Sequence, residues 1–321
     1  MINQNKYKIS VVIGTFNREE KLTHVLHALE NQSFPKNNFE VIVVDDGSTD
    51  NTAKQIQKIK KETDLNLKYI YQENGRAAKA RNTGIKNASG EIIAFTDDDC
   101  LPSHYWIEMI NRYFDDYPEI VGIEGCVVTS NKNFLGTHSV QNTSGDLYIT
   151  CNVAYVKEII EKAGFFDEGF TLMHREDSDF ALRVKKIGKI IFAPEVYVLH
   201  PPREISFFAE LKKLKTRILM DLYFYKKTPK VFKENFGSPI NTYIGIQTLV
   251  IYGSLALFVA SIITWQYLGI FATIGLIYFF NANGRQAKGI RSILQNLIAD
   301  TPVHLLSPIL FLYYSIKTSM S

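Results

Sequence analysis

The sequence predicts an α/β domain with a doubly wound, mostly parallel sheet, followed by basic amphipathic helices and a transmembrane helical hairpin. Three observations support this prediction. Strand-like and helix-like segments alternate in the first half of the chain, acidic residues follow the apolar strands, and a long segment near residue 250 carries no charge. A chain of 321 residues is long enough for one large α/β domain and an appendage.

The predicted sheet begins with four short runs of β-branched, aliphatic or aromatic residues, as expected for buried parallel strands. These runs are KISVVIG (8–14), FEVIVV (39–44), LKYIY (67–71) and EIIAFT (91–96). Helical patterns separate them, and the first of these forms one apolar stripe from Leu22, Val25, Leu26 and Leu29. Because strands and helices alternate, we expect right-handed crossovers and helices on both faces of the sheet.

Polar side chains stand where these strands end. Ligands of open α/β sheets bind beyond the carboxyl ends of the strands, which is where the sequence places Thr15, Asp45, Asp46 and the run 97–99. Side chains alternate along a strand, so Asp97 and Asp99 should point to one side. Two converging carboxylates favour a hard divalent cation, Mg²⁺ or Mn²⁺. A solvent-exposed turn rich in Asp is the alternative for this run.

The stretch NGRAAKARNTG (74–84) predicts a phosphate site. It brings Arg76, Lys79 and Arg81 to the start of a helix, where cationic groups and free backbone N–H groups can bind a phosphate. A solvated basic helix face is the alternative. No G-x-G-x-x-G follows the first strand, which argues against a dinucleotide site of the Rossmann type.

From about residue 120 to 200 the pattern becomes mixed and more antiparallel, and it contains the helix REDSDFALRV (175–184). Glu176 and Asp177 begin this helix, where its dipole favours an ionised carboxylate. Taken alone, the two carboxylates are more simply interpreted as ordinary N-terminal helix charge. Asp179 and Arg183 are four residues apart and should form a structural ion pair.

Charge and cysteine content exclude several classes of protein. The net charge of +3 is too small to indicate a nucleic-acid partner. The three cysteines form no C-x-x-C pair, so we expect free thiols in a reducing compartment. The N-terminus lacks a signal-peptide core, and the first domain is therefore expected in the cytosol.

The last third of the chain predicts membrane association. Between residues 205 and 227, aromatic and aliphatic residues alternate with Lys and Arg, which suits a helix on a membrane surface; a soluble amphipathic helix packed on the domain is the alternative. Residues 243–263 carry no charge and could span a bilayer. Residues from about 265 to 281 could form a second span in the opposite direction, which would complete a helical hairpin. Basic residues flank this hairpin on both sides, so both flanks should be cytosolic. The apolar segment 303–316 contains a proline and is either interfacial or a short membrane segment.

Taken in order, five segments resemble a family 2 glycosyltransferase with a GT-A nucleotide-sugar-binding fold. They are VVIGTFNREEKLTHVLHALENQSF, VIVVDDGSTDNT, GRAAKARNTGI, GEIIAFTDDD and REDSDFALRV. The resemblance implies inverting transfer of a sugar from a nucleotide diphosphate donor, with a divalent metal. The resemblance covers about residues 8 to 202. Together with the predicted membrane segments it divides the chain into a catalytic domain (1–202), membrane-surface helices (203–240), a transmembrane hairpin (241–281) and a basic loop with an interfacial or short membrane segment (282–321).

The same resemblance implies roles for the residues at the strand ends. Thr15 and Asp46 would contact the nucleotide, with Asp45 nearby, and Arg76 would approach the base or the diphosphate. UDP is the nucleotide expected from the family.

The metal would be Mn²⁺ or Mg²⁺, bound by a D-x-D pair of Asp97 and Asp99. Asp99 would be the direct ligand, and Asp97 or Asp98 would lie nearer the ribose or the donor sugar. His200 matches a position where some relatives place a histidine near the metal, although an interface histidine would look identical.

The resemblance assigns Asp177 as the catalytic base and Glu176 as the residue that orients the acceptor. A base favours a hydroxyl acceptor, such as a lipid-linked saccharide in cell-surface polysaccharide or glycoconjugate synthesis. A polyprenyl-phosphate glycosyltransferase, whose anionic acceptor needs no base, is one alternative; a non-catalytic nucleotide-sugar-binding membrane protein is the other. We expect the protein at the cell membrane with its catalytic domain facing the cytoplasm, and leave its oligomeric state open.

Overall fold

The structure is a computed structural model that describes residues 7–130, 137–138, 140–204, 207–239, 252–253, 306 and 308–318. The chain divides into two compact units. The first comprises Met1–Lys132 and Ser139–Arg203, and the second comprises Asn133–His138 and Glu204–Ser321.

Strands and helices alternate in the first half of the chain, as the sequence predicts. The strands are β1 (Tyr7–Thr15), β2 (Phe39–Asp45), β3 (Leu67–Tyr71), β4 (Gly90–Phe95), β5 (Leu101–Pro102), β6 (Ile120–Val128), β7 (Thr137–His138), β8 (Val153–Val156), β9 (Lys189–Leu199) and β10 (Arg203–Glu204). The helices are α1 (Glu19–Glu30), α2 (Thr52–Glu62), α3 (Arg76–Lys86), α4 (Trp106–Asp116), α5 (Lys157–Ala163), α6 (Glu176–Lys185), α7 (Phe207–Lys227) and α8 (Pro229–Phe236).

Eight strands form one mixed sheet in the order β3-β2-β1-β4-β8-β6-β9-β5. The pairs β3–β2, β2–β1 and β1–β4 are parallel, whereas β8 runs antiparallel to both β4 and β6. The predicted parallel half and the predicted change to antiparallel pairing are therefore both confirmed. Because β1 to β4 all run parallel, their carboxyl ends meet at one edge of the sheet.

The apolar core lies on both faces of this sheet. Alternate residues of β1 enter different clusters, with Val11 and Ile13 on one face and Val12 on the other. The predicted stripe of α1 packs on the first face and is buried throughout. Because apolar side chains pack on both faces of the sheet, the strands appear in the sequence as continuous apolar runs.

The aspartate run differs from the prediction. Strand β4 ends at Phe95, and the backbone N–H of Cys100 donates to the carbonyl of Asp97 at 3.2 Å, which closes a turn. Because residues 97–99 lie in this turn, the alternation of a strand does not apply to them. The expectation that Asp97 and Asp99 point to one side is wrong.

In the second unit, α7 packs against a helix formed by residues 308–318. Leu214 and Ile218 of α7 are buried against Phe311. Among the described residues, no helix combines the length and apolarity needed to cross a bilayer. Apart from residues 252 and 253, the predicted spans 243–263 and 265–281 lie outside the described residues.

Candidate active site

Asp98 and Asp99 share one cation at the carboxyl end of β4. The Arg18 guanidinium donates from Nη1 to Asp98 Oδ1 at 3.0 Å and to Asp99 Oδ2 at 2.7 Å. The second oxygen of Asp98 accepts from the Thr15 hydroxyl at 2.8 Å, so Thr15 lies among the aspartates as predicted. Burial raises the pKa of the Asp98 carboxyl to about 6, against the opposing effects of Arg18 and Thr15.

The loop before α1 is fixed by Asn17, which positions Arg18. Asn17 has φ of +53°, a conformation that Asn tolerates better than most residues. Its side-chain oxygen accepts from the backbone N–H groups of Thr49 at 2.7 Å and Asp50 at 3.3 Å. The loops after β1 and β2 are therefore tied together, and Arg18 is directed at the aspartates.

Asp99 is buried, and its two carboxylate oxygens differ. Oδ2 lies 2.7 Å from Arg18, 2.5 Å from Arg203 Nη2 and 3.7 Å from Lys21 Nζ. Oδ1 is buried and finds no hydrogen-bond donor among the described residues. An unpaired buried carboxylate oxygen is costly, so this atom indicates a place for a ligand.

His200 faces that oxygen, with Nε2 at 4.0 Å from Asp99 Oδ1. The other ring nitrogen, Nδ1, lies 3.0 Å from the carbonyl oxygen of Pro201. A carbonyl can only accept, so Nδ1 is the donor in this contact, and Nε2 is the ring nitrogen on the side of Asp99 Oδ1. Asp99, Cys100 and His200 place one potential ligand atom each within 4.8 Å of one another. A carboxylate oxygen and an imidazole nitrogen therefore lie close enough to share one metal ion, and the carboxylate suits Mn²⁺ or Mg²⁺.

Asp97 lies apart from its neighbours and faces α3 and α6 through Arg81. The buried Arg81 guanidinium donates from Nη1 to Glu176 Oε1 at 3.0 Å, and Nη2 lies 3.7 Å from Asp97 Oδ1. The centre of the Phe166 ring lies 5.6 Å from Arg81 Cζ. One arginine thus joins the aspartate run to the start of α6, two regions that are 79 residues apart in sequence.

Asp177 follows Glu176 in the first turn of α6. Burial and the neighbouring Glu176 charge raise the pKa of its carboxyl to about 7, although Arg81 acts in the opposite direction. Asp179 binds Arg183 at 2.9 and 3.0 Å, which confirms the predicted structural pair. Glu176 and Asp179 at this helix start are each paired with an arginine, whereas Asp177 accepts from the Ser178 backbone N–H at 2.7 Å.

Asp45 and Asp46 are both engaged in protein hydrogen bonds. Asp45 accepts from the Ser48 backbone N–H and from the Tyr69 hydroxyl, each at 2.8 Å. Asp46 accepts from the backbone N–H groups of Gly75 and Arg76, each at 2.8 Å, and from Gln72 at 2.6 Å.

These bonds change the expected phosphate site at the start of α3. The prediction of free N–H groups there is wrong at Gly75 and Arg76, because Asp46 occupies both. The Arg76 residue is exposed and has φ of +72°. Arg81, which the sequence placed at the same phosphate, points instead to Asp97 and Glu176.

Three site cations were not predicted from the sequence: Arg18, Lys21 and Arg203. The only sequence signal for them was position, since Arg18 comes three residues after the end of β1 and Arg203 three residues after His200. Neither stands near the aspartates in sequence. Their contacts depend on the fold.

Residues 10–187 match the sequence profile of Glycosyl transferase family 2, more than half of the 321-residue chain. The chain belongs to this family. Its membership confirms the resemblance carried by the five segments, and the family's members are transferases of sugars.

The chain is 29% identical over 222 residues to "Glycosyltransferase AglE" of Haloferax volcanii, covering 65% of this chain and 71% of AglE. It is 40% identical over 92 residues to the poly(ribitol-phosphate) beta-N-acetylglucosaminyltransferase TarS of Staphylococcus aureus, which is 29% of this chain and 16% of TarS. The chain therefore spans most of AglE but only a small part of TarS.

Two solved structures share the fold. The crystal structure of S. aureus TarS 1–349 in complex with UDP-GlcNAc has a TM-score of 0.54 at 23% identity, over 68% of this chain and 66% of that one. The mannosyltransferase PcManGT from Pyrobaculum calidifontis, in complex with GDP-Man and Mn²⁺, has a TM-score of 0.55 at 17% identity, over 98% of this chain and 85% of that one. At these identities the likeness concerns the GT-A-like fold.

Proposed function

We propose that the protein is an inverting glycosyltransferase that moves a sugar from a nucleotide diphosphate donor, UDP-linked, to a hydroxyl acceptor. One observation carries this proposal: Arg81 contacts both Asp97 and Glu176, so the donor-side aspartates and the carboxylates at the start of α6 border one site. An inverting transfer needs this arrangement, because the base must act on the face opposite the leaving nucleotide.

Asp177 would act as the base. As the acceptor hydroxyl attacks the anomeric carbon, a new carbon–oxygen bond forms and the bond to the diphosphate breaks. The hydroxyl proton moves to the Asp177 carboxylate, and the nucleoside diphosphate leaves with the bonding electrons. A carboxyl whose pKa is raised to about 7 accepts a proton more readily than an ordinary aspartate. Glu176, fixed by Arg81, would orient the acceptor.

The donor side would use the cations around Asp99. Arg18, Lys21 and Arg203 converge on one oxygen of Asp99 and are each partly exposed, so they can also reach a diphosphate. A divalent metal held by Asp99 and His200 would neutralise the departing diphosphate, and Asp97, which lies beside Arg81, would border the donor sugar. Thr15, Asp45, Asp46, Asp98 and Arg76 are proposed to border the nucleotide.

The hydroxyl acceptor is preferred over a polyprenyl phosphate for a chemical reason. A phosphate acceptor is already anionic near neutral pH and requires no base, whereas a hydroxyl acceptor must lose a proton, which Asp177 with its raised pKa could take. We propose a lipid-linked saccharide, because the uncharged segment 243–263 and the basic α7 suit a membrane-attached enzyme. The catalytic unit would face the cytoplasm. Resistance of the protein to carbonate extraction from membranes tests the attachment, and full release would contradict it.

The deciding experiment is calorimetric titration of UDP, and separately GDP, into the full chain with and without Mn²⁺. We expect metal-dependent binding of UDP that is lost in Asp99→Ala and retained in Asp64→Ala, a matched change of an exposed carboxylate. Tight GDP binding instead would reassign the nucleotide. Failure of the folded protein to bind either nucleotide would overturn the proposal and favour a non-catalytic protein.

A further inference from the structure

The helix formed by residues 308–318 has an outward face that is apolar. Ile309, Leu312, Tyr313 and Ile316 recur at the spacing of one helical face, and their exposed fractions lie between 54% and 61%. We call these four residues the C-terminal stripe. A soluble protein rarely exposes so many large apolar side chains along a single face.

The opposite face of the same helix is already used. Phe311 is buried against Leu214 and Ile218 of α7, and Leu310 and Tyr314 pack beside it. The ammonium of Lys215 lies 5.7 Å from the centre of the Tyr314 ring. Since the inner face fixes the helix on α7, the C-terminal stripe is held outward rather than available to this core.

Positive charge lies near the C-terminal end of the stripe. Lys317 on the helix is exposed, as are Lys226 and Lys227 at the end of α7. Lys226 Nζ lies 3.5 Å from the carbonyl of Thr318, so the lysines border the C-terminal end of the helix. Residues 207–239 contain eight Lys or Arg and three Asp or Glu. A second copy of the chain would bring like charges together, whereas an anionic lipid surface would bind them.

We propose that the C-terminal stripe enters the interfacial region of an anionic bilayer while Lys226, Lys227 and Lys317 contact lipid headgroups. The apolar side chains then leave water, and Tyr313 lies at the depth that tyrosine favours in membranes. This attachment surface belongs to the second unit, whereas the candidate active site belongs to the first. It stands or falls independently of the sugar transfer.

The test places a reporter on the stripe of the full chain. Leu312→Trp is compared with Asn235→Trp, an exposed polar position of α8, and the emission of the two native tryptophans is common to both. Each protein is mixed with vesicles of phosphatidylcholine carrying brominated acyl chains, with and without phosphatidylglycerol. We expect the Leu312→Trp emission to shift to shorter wavelength and to be quenched more than that of Asn235→Trp, most strongly with phosphatidylglycerol.

Three outcomes would overturn the proposal or part of it. Equal quenching of the two reporters would show that the stripe does not enter lipid. A blue shift without vesicles that grows with protein concentration would assign the stripe to a second copy of the chain. If Lys226→Gln, Lys227→Gln and Lys317→Gln together leave the phosphatidylglycerol dependence unchanged, the lysines do not contact headgroups. Nucleotide titration uses no vesicles, so its result bears on the transfer reaction alone.

Discussion

Glu124 on β6 and Asp99 in the turn after β4 are both buried carboxylates, but their hydrogen bonding differs. Glu124 on β6 accepts from Asn142 at 2.6 Å, from the backbone N–H groups of Asp146 at 2.7 Å and Leu147 at 2.9 Å, and from that of Tyr148. Asp99 is buried to a similar degree, yet its Oδ1 accepts nothing among the described residues. Both oxygens of Glu124 accept hydrogen bonds from this chain, and these bonds hold the loop at residues 146–148. Asp99 has one oxygen without a donor among the described residues, as expected of a group that binds a ligand.

The largest effect should come from Asp177→Asn, which removes the proposed base while keeping the shape of the side chain. We expect turnover to fall by about 10³-fold with UDP affinity nearly unchanged. Initial rates of UDP release with acceptor measure this, and Asp64→Asn serves as the exposed control. Retained turnover would assign the base elsewhere or favour a phosphate acceptor.

Glu124→Gln should lower the stability of the fold while leaving ligand affinity unchanged. The amide nitrogen must face backbone N–H groups that the carboxylate now accepts from, which costs about 3 kcal/mol of unfolding free energy. For a domain of this size the midpoint of thermal unfolding should fall by about 10 °C. Metal and UDP affinity of the folded fraction should not change; a selective loss of metal would place Glu124 in the site.

Asp99→Asn should lower ligand affinity much more than the stability of the fold. We expect metal-dependent UDP affinity to fall by about 10²-fold, which corresponds to about 2.7 kcal/mol. The unfolding midpoint should move far less than in Glu124→Gln, because Arg18, Lys21 and Arg203 are each partly exposed to water. Calorimetry and thermal unfolding of the same preparation separate the effect on UDP affinity from the effect on stability. A midpoint loss matching that of Glu124→Gln would make Asp99 a structural residue as well.

Arg81→Lys should have a smaller effect, because a lysine keeps the charge but cannot hold Asp97 and Glu176 at once. We expect kcat to fall by about tenfold with little change in the KM for donor. Arg183→Lys is the matched control, since Arg183 pairs with Asp179 away from the site. Equal losses in the two variants would indicate a general weakening of α6.

The smallest effect is the pH dependence near neutrality. A carboxyl with a pKa of about 7 is half protonated at pH 7, so raising the pH to 8 should increase kcat/KM about twofold. Below that pKa the rate should fall about tenfold per pH unit. Because the folded-state pKa is raised, ionisation of Asp177 disfavours the folded state, and its contribution to stability falls as pH rises from about 4 to about 7. A pH profile without this acid limb would contradict the assignment of Asp177.

The sequence predicted the elements well because their signals are local. The runs at 39–44 and 67–71 and the stripe of α1 depend only on neighbours within a few residues. The turn at 97–99 was misjudged because the end of β4 depends on pairing with β1 and β8. Arg18 and Arg203 were missed because their partners lie 81 and 104 residues away in sequence. The occupied N–H groups at Gly75 and Arg76 likewise depend on how the loop before α3 returns to β2.

The crowding of cations on Asp99 Oδ2 has a consequence for the order in which ligands bind. A metal ion alone must compete with Arg18, Lys21 and Arg203 for Asp99, and a diphosphate alone must compete with Asp99 for the same cations. When both arrive, the metal would satisfy the carboxylate and the diphosphate would satisfy the cations. Each ligand would then raise the affinity of the other by the same factor, so we expect metal and nucleotide to bind cooperatively.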